Sequence, residues 1–229
     1  LHTTNFFSPF SRPLPIVNRN INLTIVLILA FMGTVLFFFT KKLTTPRELS
    51  REELLVNGFY ELPQERAISN FELKTSDGTL LNNEFLLNKW TLIYFGFTRC
   101  PDECPVTMSI ARDLFNTLTE KGVDISNLKL ILISIDPEYD DKKLIDRYAK
   151  GFFNEFYGVQ TSRPQLLSLA TQLDVVITAT PDHHNEDTKH LDNHQNNLIL
   201  INQSGNYHGF FRPPFNLENV LLTYQSVVF

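Results

Sequence analysis

The chain has 229 residues, a formal net charge of −5 and 20 phenylalanines. That length allows one compact domain with a full core beside a membrane segment, and the apolar content excludes a disordered chain. Lys and Arg are scattered among acids rather than gathered into a basic stripe, which excludes a nucleic-acid binder.

Leu1–Asn20 reads as an N-terminal leader broken by Pro9, Pro13 and Pro15. Ile21–Thr40 (INLTIVLILAFMGTVLFFFT) carries no charge and is almost wholly apolar, and roughly 20 such residues cross a bilayer as a helix. A cleavable signal peptide has a shorter apolar region and small residues at its end. This run ends instead in Phe37-Phe38-Phe39-Thr40-Lys41-Lys42, so it is read as an uncleaved transmembrane anchor. Its flanking charges are Arg12 and Arg19 before it, and Lys41, Lys42, Arg47 and Arg51 after it. Counted alone they put the following domain in the cytoplasm. The bias is small, and the cysteine chemistry below favours the opposite side. Residues 41–57 read as a polar linker with a helix around Pro46–Leu55, and residues 58–229 as the folded domain.

Within that domain Phe71–Lys74 reads as a strand. Ser76-Asp77-Gly78-Thr79 follows as a hairpin turn, because Asp-Gly supplies the positive φ such turns need. Trp90–Phe97 (WTLIYFGF) and Leu128–Ile135 (LKLILISI) are continuous apolar runs, the pattern of strands covered on both faces. Between them Pro105–Lys121 reads as a helix with Ile110, Leu114 and Leu118 on one face, stopped by Gly122. Asp140–Lys150 and Pro164–Leu173 read as helices, Val175–Thr178 as a short strand and Pro181–Asn193 as a polar loop. Asn197–Asn202 and Tyr207–Phe211 pair across Gln203-Ser204-Gly205-Asn206 as a hairpin, and Leu217–Ser226 is a closing helix. The alternation predicts an α/β fold, a thioredoxin-like central sheet flanked by helices.

The chain has two cysteines, Cys100 and Cys104, between the first buried strand and the helix after it. A disulfide closing so short a loop stabilises little, so the pair is present for its chemistry. Backbone N–H groups at a helix start favour a thiolate, which is both a nucleophile and a soft metal ligand. The three-residue spacer Pro101-Asp102-Glu103 lets both sulfurs reach one metal while still permitting a disulfide. Two thiolates prefer Cu(I) or Zn(II), and a histidine is the usual further ligand. Of the six histidines, His2 lies outside the domain, His183, His184 and His190 lie in the polar loop, and His208 lies within a strand. His194 stands just before Asn197–Asn202, where a thioredoxin-like arrangement brings the chain past its cysteines, and this selects it. The loop Pro181–His194, with Asp182, Glu186, Asp187 and Asp192, is read as a solvated carrier of His194 in preference to a second metal site. Asp136, at a strand end, is a candidate for a contact with the site or with a partner, with an ordinary strand-end acid as the alternative.

Tyr94–Pro105, YFGFTRCPDECP, resembles the FGFTxCPxxCP signature of the SCO/SenC family, copper chaperones of cytochrome c oxidase assembly. The resemblance continues through Ile135-Asp136-Pro137-Glu138 and Asp140–Tyr148, and resumes at His194 with the strand after it and Ser204-Gly205. It covers Gly58 to the C-terminus together with the single anchor. It implies copper, as Cu(I) or Cu(II), bound by Cys100, Cys104 and His194, with the two cysteines also forming a redox dithiol. The implied role is copper delivery or thiol reduction in assembly of the oxidase copper centre. The implied partner is a copper-accepting oxidase subunit or another copper carrier. The domain would face the bacterial periplasm or the mitochondrial intermembrane space. Asn193 and Gln195 replace the family's usual Asp before and Ser or Thr after the histidine, and Tyr157-Gly158-Val159-Gln160 lacks a Gly-rich ending. These departures remove no ligand but alter the surroundings that tune a metal. The rival reading is a thiol-disulfide oxidoreductase or peroxidase of the same fold acting without metal. Such proteins usually carry a proline at the place of the histidine, and no proline directly precedes Asn197.

Overall fold

The structure, a computed structural model, describes residues 19–44, 47–177 and 196–228. The chain divides into two units, Leu1–Pro46 and Arg47–Phe229. In the first, α1 spans Arg19–Thr44 and contains Ile21–Thr40, the stretch read from sequence as an anchor. Its stretch Asn20–Lys42 is long and apolar enough to cross a membrane, and none of it is buried. The hydroxyls of Thr24, Thr34 and Thr40 donate to the carbonyls four residues earlier at 2.8, 2.8 and 3.0 Å. These polar groups are therefore satisfied within the helix, as a hydrocarbon environment requires.

The second unit opens with α2 (Arg51–Val56), started by a capping box: Glu53 N–H donates to Ser50 Oγ and Ser50 N–H donates to Glu53 Oε2. Leu54 is buried, and Leu49 N–H donates to Ser226 Oγ at 2.6 Å. Next come β1 (Phe59–Ala67) and a separate hairpin of β2 (Glu72–Lys74) and β3 (Leu80–Asn82), closed by the expected turn with Gly78 at φ +89°. The chain continues through the short α3 (Asn83–Leu86), β4 (Trp90–Gly96), α4 (Glu103–Glu120), β5 (Leu128–Ser134), α5 (Lys142–Phe152), β6 (Tyr157–Val159) and α6 (Arg163–Gln172). The last elements are β7 (Leu198–Ile201), β8 (Asn206–Phe211) and α7 (Leu217–Val228).

Among the described residues six strands form one sheet in the order β1-β8-β7-β4-β5-β6. β4, β5 and β6 run parallel, joined by helical crossovers; β7, β8 and β1 are antiparallel additions. This is the thioredoxin-like arrangement expected from the sequence. β7 is buried along its whole length and β4 from Thr91 onward, because helices cover both faces, which is why these strands read as unbroken apolar runs. β8, nearer the sheet edge, alternates instead.

Three segments differ from expectation. Of the expected strand Val175–Thr178, Thr178 lies outside the described residues and Val175–Ile177 is not a strand, because the chain stays tied to the end of α6: Leu173 N–H donates to Leu169 O, Asp174 turns back at φ +56°, and Val175 N–H donates to Ala170 O at 2.8 Å. The third parallel strand is Tyr157–Val159, three residues long, on which α5 sits so closely that a Cβ on Gly158 would lie 2.2 Å from the carbonyl oxygen of Ile145. β1 is a strand that the sequence pattern does not mark. It carries Pro63, is mostly exposed and slips register between Glu61 and Arg66, as an edge strand can.

Candidate metal centre

β4 and β5 end side by side, with Ile135 N–H donating to Gly96 O at 2.9 Å. The loops leaving them are stitched together by Asp140, a fully buried carboxylate. It accepts Thr98 N–H at 3.1 Å, the Ser134 hydroxyl at 2.7 Å and the Thr98 hydroxyl. Burial pushes its pKa up, and the hydrogen bonds from Thr98 and Ser134 hold it back. Asp136, also fully buried, pairs with the Arg99 guanidinium at 2.7 Å, and Arg99 lies 3.9 Å over the Tyr139 ring. Asp136 therefore belongs to the framework of the cysteine loop, fixing the residue next to Cys100.

Cys100 lies in the loop and Cys104 in the first turn of α4, both buried and both free thiols. Asp102, in the N-cap position, makes no side-chain cap. The sulfur of Cys100 stands where a cap would, accepting Cys104 N–H at 3.2 Å. The hydrogen bond from the Cys104 thiol, then the backbone N–H groups of Cys104, Asp102 and Glu103, lower Cys100 to about 7 against the opposing effect of burial. Cys104 is pushed the other way, by its hydrogen bond to Cys100 and by burial. The pair thus releases its first proton near neutrality, from Cys100, and keeps the second on Cys104.

The close approach of Cys104 to the strand depends on Gly96, where a Cβ would come 2.8 Å from the Tyr94 ring and 3.1 Å from Cys104 Sγ. On the far side of Cys104, the buried hydroxyl of Tyr94 lies 3.4 Å from its sulfur and 3.2 Å from Asn196 Oδ1. Tyr94, Asn196 and Asp140 were not singled out from sequence. A tyrosine inside a doubly covered strand was the available signal, since its hydroxyl needs a partner.

The structure brings the two expected cysteines together. His194 lies outside the described residues, as do His183, His184 and His190. His208, on β8, faces Glu65 at 3.0 Å and Glu61 at 3.6 Å across the irregular β1 pairing. Among the described residues no three or more His, Cys, Asp or Glu side chains converge as a metal cluster.

The profile of the SCO1/SenC family matches residues 61–228. A putative copper-binding protein of Stutzerimonas stutzeri is 31% identical over 159 residues, covering 69% of this chain and 76% of that one. The mitochondrial SCO1 homolog 1 of Arabidopsis thaliana is 27% identical over 189 residues, 82% of this chain and 55% of its own length. An SCO2-like protein of Rickettsia prowazekii is 24% identical over 210 residues, 92% and 98% of the two chains. Apo Sco1 from Thermus thermophilus superposes with a TM-score of 0.62 at 24% identity, over 73% of this chain and 95% of that one. Arabidopsis thaliana ScoI with copper bound gives 0.59 at 24% identity, over 70% and 98%. With a family profile spanning nearly all of the second unit and a sheet that superposes on these structures, the chain belongs to the SCO1/SenC family.

Proposed function

We propose that this chain is a membrane-anchored copper-binding protein that carries copper to, or reduces the thiols of, a subunit of the cytochrome c oxidase copper centre. Copper here is cargo. The observation that carries the reading is the hydrogen-bonded thiol pair at the start of α4, one sulfur poised to ionise near neutrality and the other held behind it. Two adjacent sulfurs suit Cu(I), and the backbone N–H groups around Cys100 favour the negative charge that a soft cation then neutralises. Cys100 and Cys104 are the proposed sulfur ligands and His194 the proposed nitrogen ligand. The support for His194 is covalent: it lies two residues before Asn196, whose side chain already meets the Tyr94 hydroxyl beside Cys104.

The same pair supports thiol reduction of a partner. The Cys100 thiolate attacks a partner disulfide, a mixed disulfide forms, and Cys104 displaces the partner's second sulfur. The partner gains two electrons and two protons, and Cys100 and Cys104 end as a disulfide. Both roles place the second unit outside the cytoplasm, in the bacterial periplasm or the mitochondrial intermembrane space.

The test is titration of Cys100→Ala, Cys104→Ala and His194→Ala with Cu(I) and with Cu(II). Either cysteine variant loses tight binding of both. His194→Ala keeps Cu(I), which two thiolates hold in a near-linear site, and loses most Cu(II), together with sulfur-to-copper charge-transfer absorption. Parent-like Cu(II) binding by His194→Ala would remove that residue from the site and favour the metal-free dithiol reading.

A further inference from the structure

Tyr94 sits in the middle of β4 with no exposed surface. A phenylalanine would fill the same space, and burying a hydroxyl is unfavourable unless it is hydrogen-bonded. Its oxygen has two close partners on different elements, Cys104 Sγ on α4 at 3.4 Å and Asn196 Oδ1, 102 residues further along the chain, at 3.2 Å. The hydroxyl of Thr107, one turn along α4 from Cys104, is a further hydrogen-bonding neighbour. Pairing of Tyr94 with Leu198 sets the register between β4 and β7, and this brings Asn196, the residue two before Leu198, to the hydroxyl. Asn196 is itself buried.

We propose that Tyr94 is a positioning residue whose hydroxyl ties the inner sulfur, Cys104, to the chain segment at Asn196 and stabilises the reduced form of the cysteine pair. This rests on the reading of Cys100 and Cys104 as a working dithiol, and it is independent of copper. The Tyr94 hydroxyl donates to the sulfur of reduced Cys104, whose own hydrogen goes to Cys100, and a disulfide sulfur, with no charge or thiolate character, accepts less well. Asn196 acts through the hydroxyl: the phenol has one hydrogen, and Cys104 Sγ and Asn196 Oδ1 both stand where they can accept it. Neither residue touches the outer sulfur, Cys100, in any hydrogen bond among the described residues.

The test is the thiol–disulfide equilibrium of the full chain in detergent, without metal, in glutathione buffers under nitrogen. In this exchange the two thiols and glutathione disulfide convert to the protein disulfide and two glutathiones, so electrons and protons balance. Tyr94→Phe keeps the ring and removes the oxygen. It is expected to move the equilibrium about fivefold toward the protein disulfide, the worth of one hydrogen bond. At about 30 mV per tenfold for a two-electron couple, that is a reduction potential about 20 mV more negative. Asn196→Ala is expected to shift the equilibrium in the parent and to have no further effect in the Tyr94→Phe background. A parent-like equilibrium in Tyr94→Phe overturns the proposal, even if its unfolding midpoint drops, since that is what a purely structural hydroxyl would do. An equal effect of Asn196→Ala with and without the hydroxyl overturns it too. Failure of the parent to bind copper would sink the copper reading and leave this one standing.

Discussion

Asp140→Ala removes one acceptor that three donors share. The Thr98 N–H is fixed in the backbone and cannot turn elsewhere, and the Ser134 hydroxyl is fully buried. A buried donor left without an acceptor costs about 1–3 kcal/mol, so these two together cost about 2–6 kcal/mol. Relief of the buried carboxylate offsets part of this, and the expected net loss is about 2–4 kcal/mol. Asp140→Asn behaves differently. Its amide oxygen can take Thr98 N–H and the Ser134 hydroxyl, while its NH₂ donates to the Thr98 hydroxyl oxygen, so every bond survives and stability stays within about 1 kcal/mol of the parent. The pH dependence separates the two further. Burial raises the Asp140 pKa, so between the ordinary carboxylate value, about 4, and the raised one the native state binds more protons than the unfolded chain. Stability contributed by this group is therefore complete below that window and falls as pH rises through it. Asp140→Asn abolishes that component of the slope. Urea unfolding of Arg47–Phe229 across the acid range, followed by circular dichroism, reads both effects. Equal destabilisation by Ala and Asn, or an Ala variant within about 1 kcal/mol of the parent, would show that Asp140 does not hold the loop by its hydrogen bonds.

Thiolate absorbance of the reduced, metal-free protein should titrate first with a midpoint of about 7, and Cys100→Ser should remove that step while Cys104→Ser changes it. A first midpoint that persists in Cys100→Ser would reverse the assignment of outer and inner sulfur. For topology, a reporter that works only outside the cytoplasm, fused after Phe229, should be active; activity from a cytoplasmic reporter alone would place the cysteine pair in a reducing compartment and contradict the proposed location.

The elements that the sequence declares most clearly are those whose pattern has one physical cause. Ile21–Thr40 is apolar on every side, as a helix that crosses a membrane is, and β4 and β5 are unbroken apolar runs because both faces are covered. The cysteine pair was legible because its spacing suits chemistry and not cross-linking. What escaped notice depends on tertiary context. β6 is three residues long, and its middle glycine carries no periodic signal; it is a strand because β5 lies beside it and α5 packs over it. β1 has a proline and a register slip, so neither alternation nor propensity marks it. Val175–Ile177 has the composition of a strand, yet the turn at Asp174 returns the chain to α6 before any sheet edge is reached. Tyr94 and Asn196 stand 102 positions apart, and only the pairing of β4 with β7 brings them together.

The three-residue spacer between the cysteines has a structural consequence that bears on both proposed roles. Cys104 falls inside the first turn of α4 and Cys100 outside it, so the helix's own N–H donates to the Cys100 sulfur while the Cys104 sulfur is turned toward β4. The two thiols are thereby unlike: Cys100 retains 6% of its surface and Cys104 none. A partner arriving from solvent meets Cys100 first, and Cys100 is also the sulfur that ionises near neutrality. In disulfide exchange this makes Cys100 the attacking sulfur and Cys104 the resolving one. In the proposed copper transfer, Cys100 would be the ligand that first engages an incoming ion, with Cys104 closing the chelate from behind. Either event must also draw on Tyr94, because the inner sulfur cannot move toward a metal or toward Cys100 without changing its distance from that hydroxyl. The order of events at this site is thus set by where α4 begins.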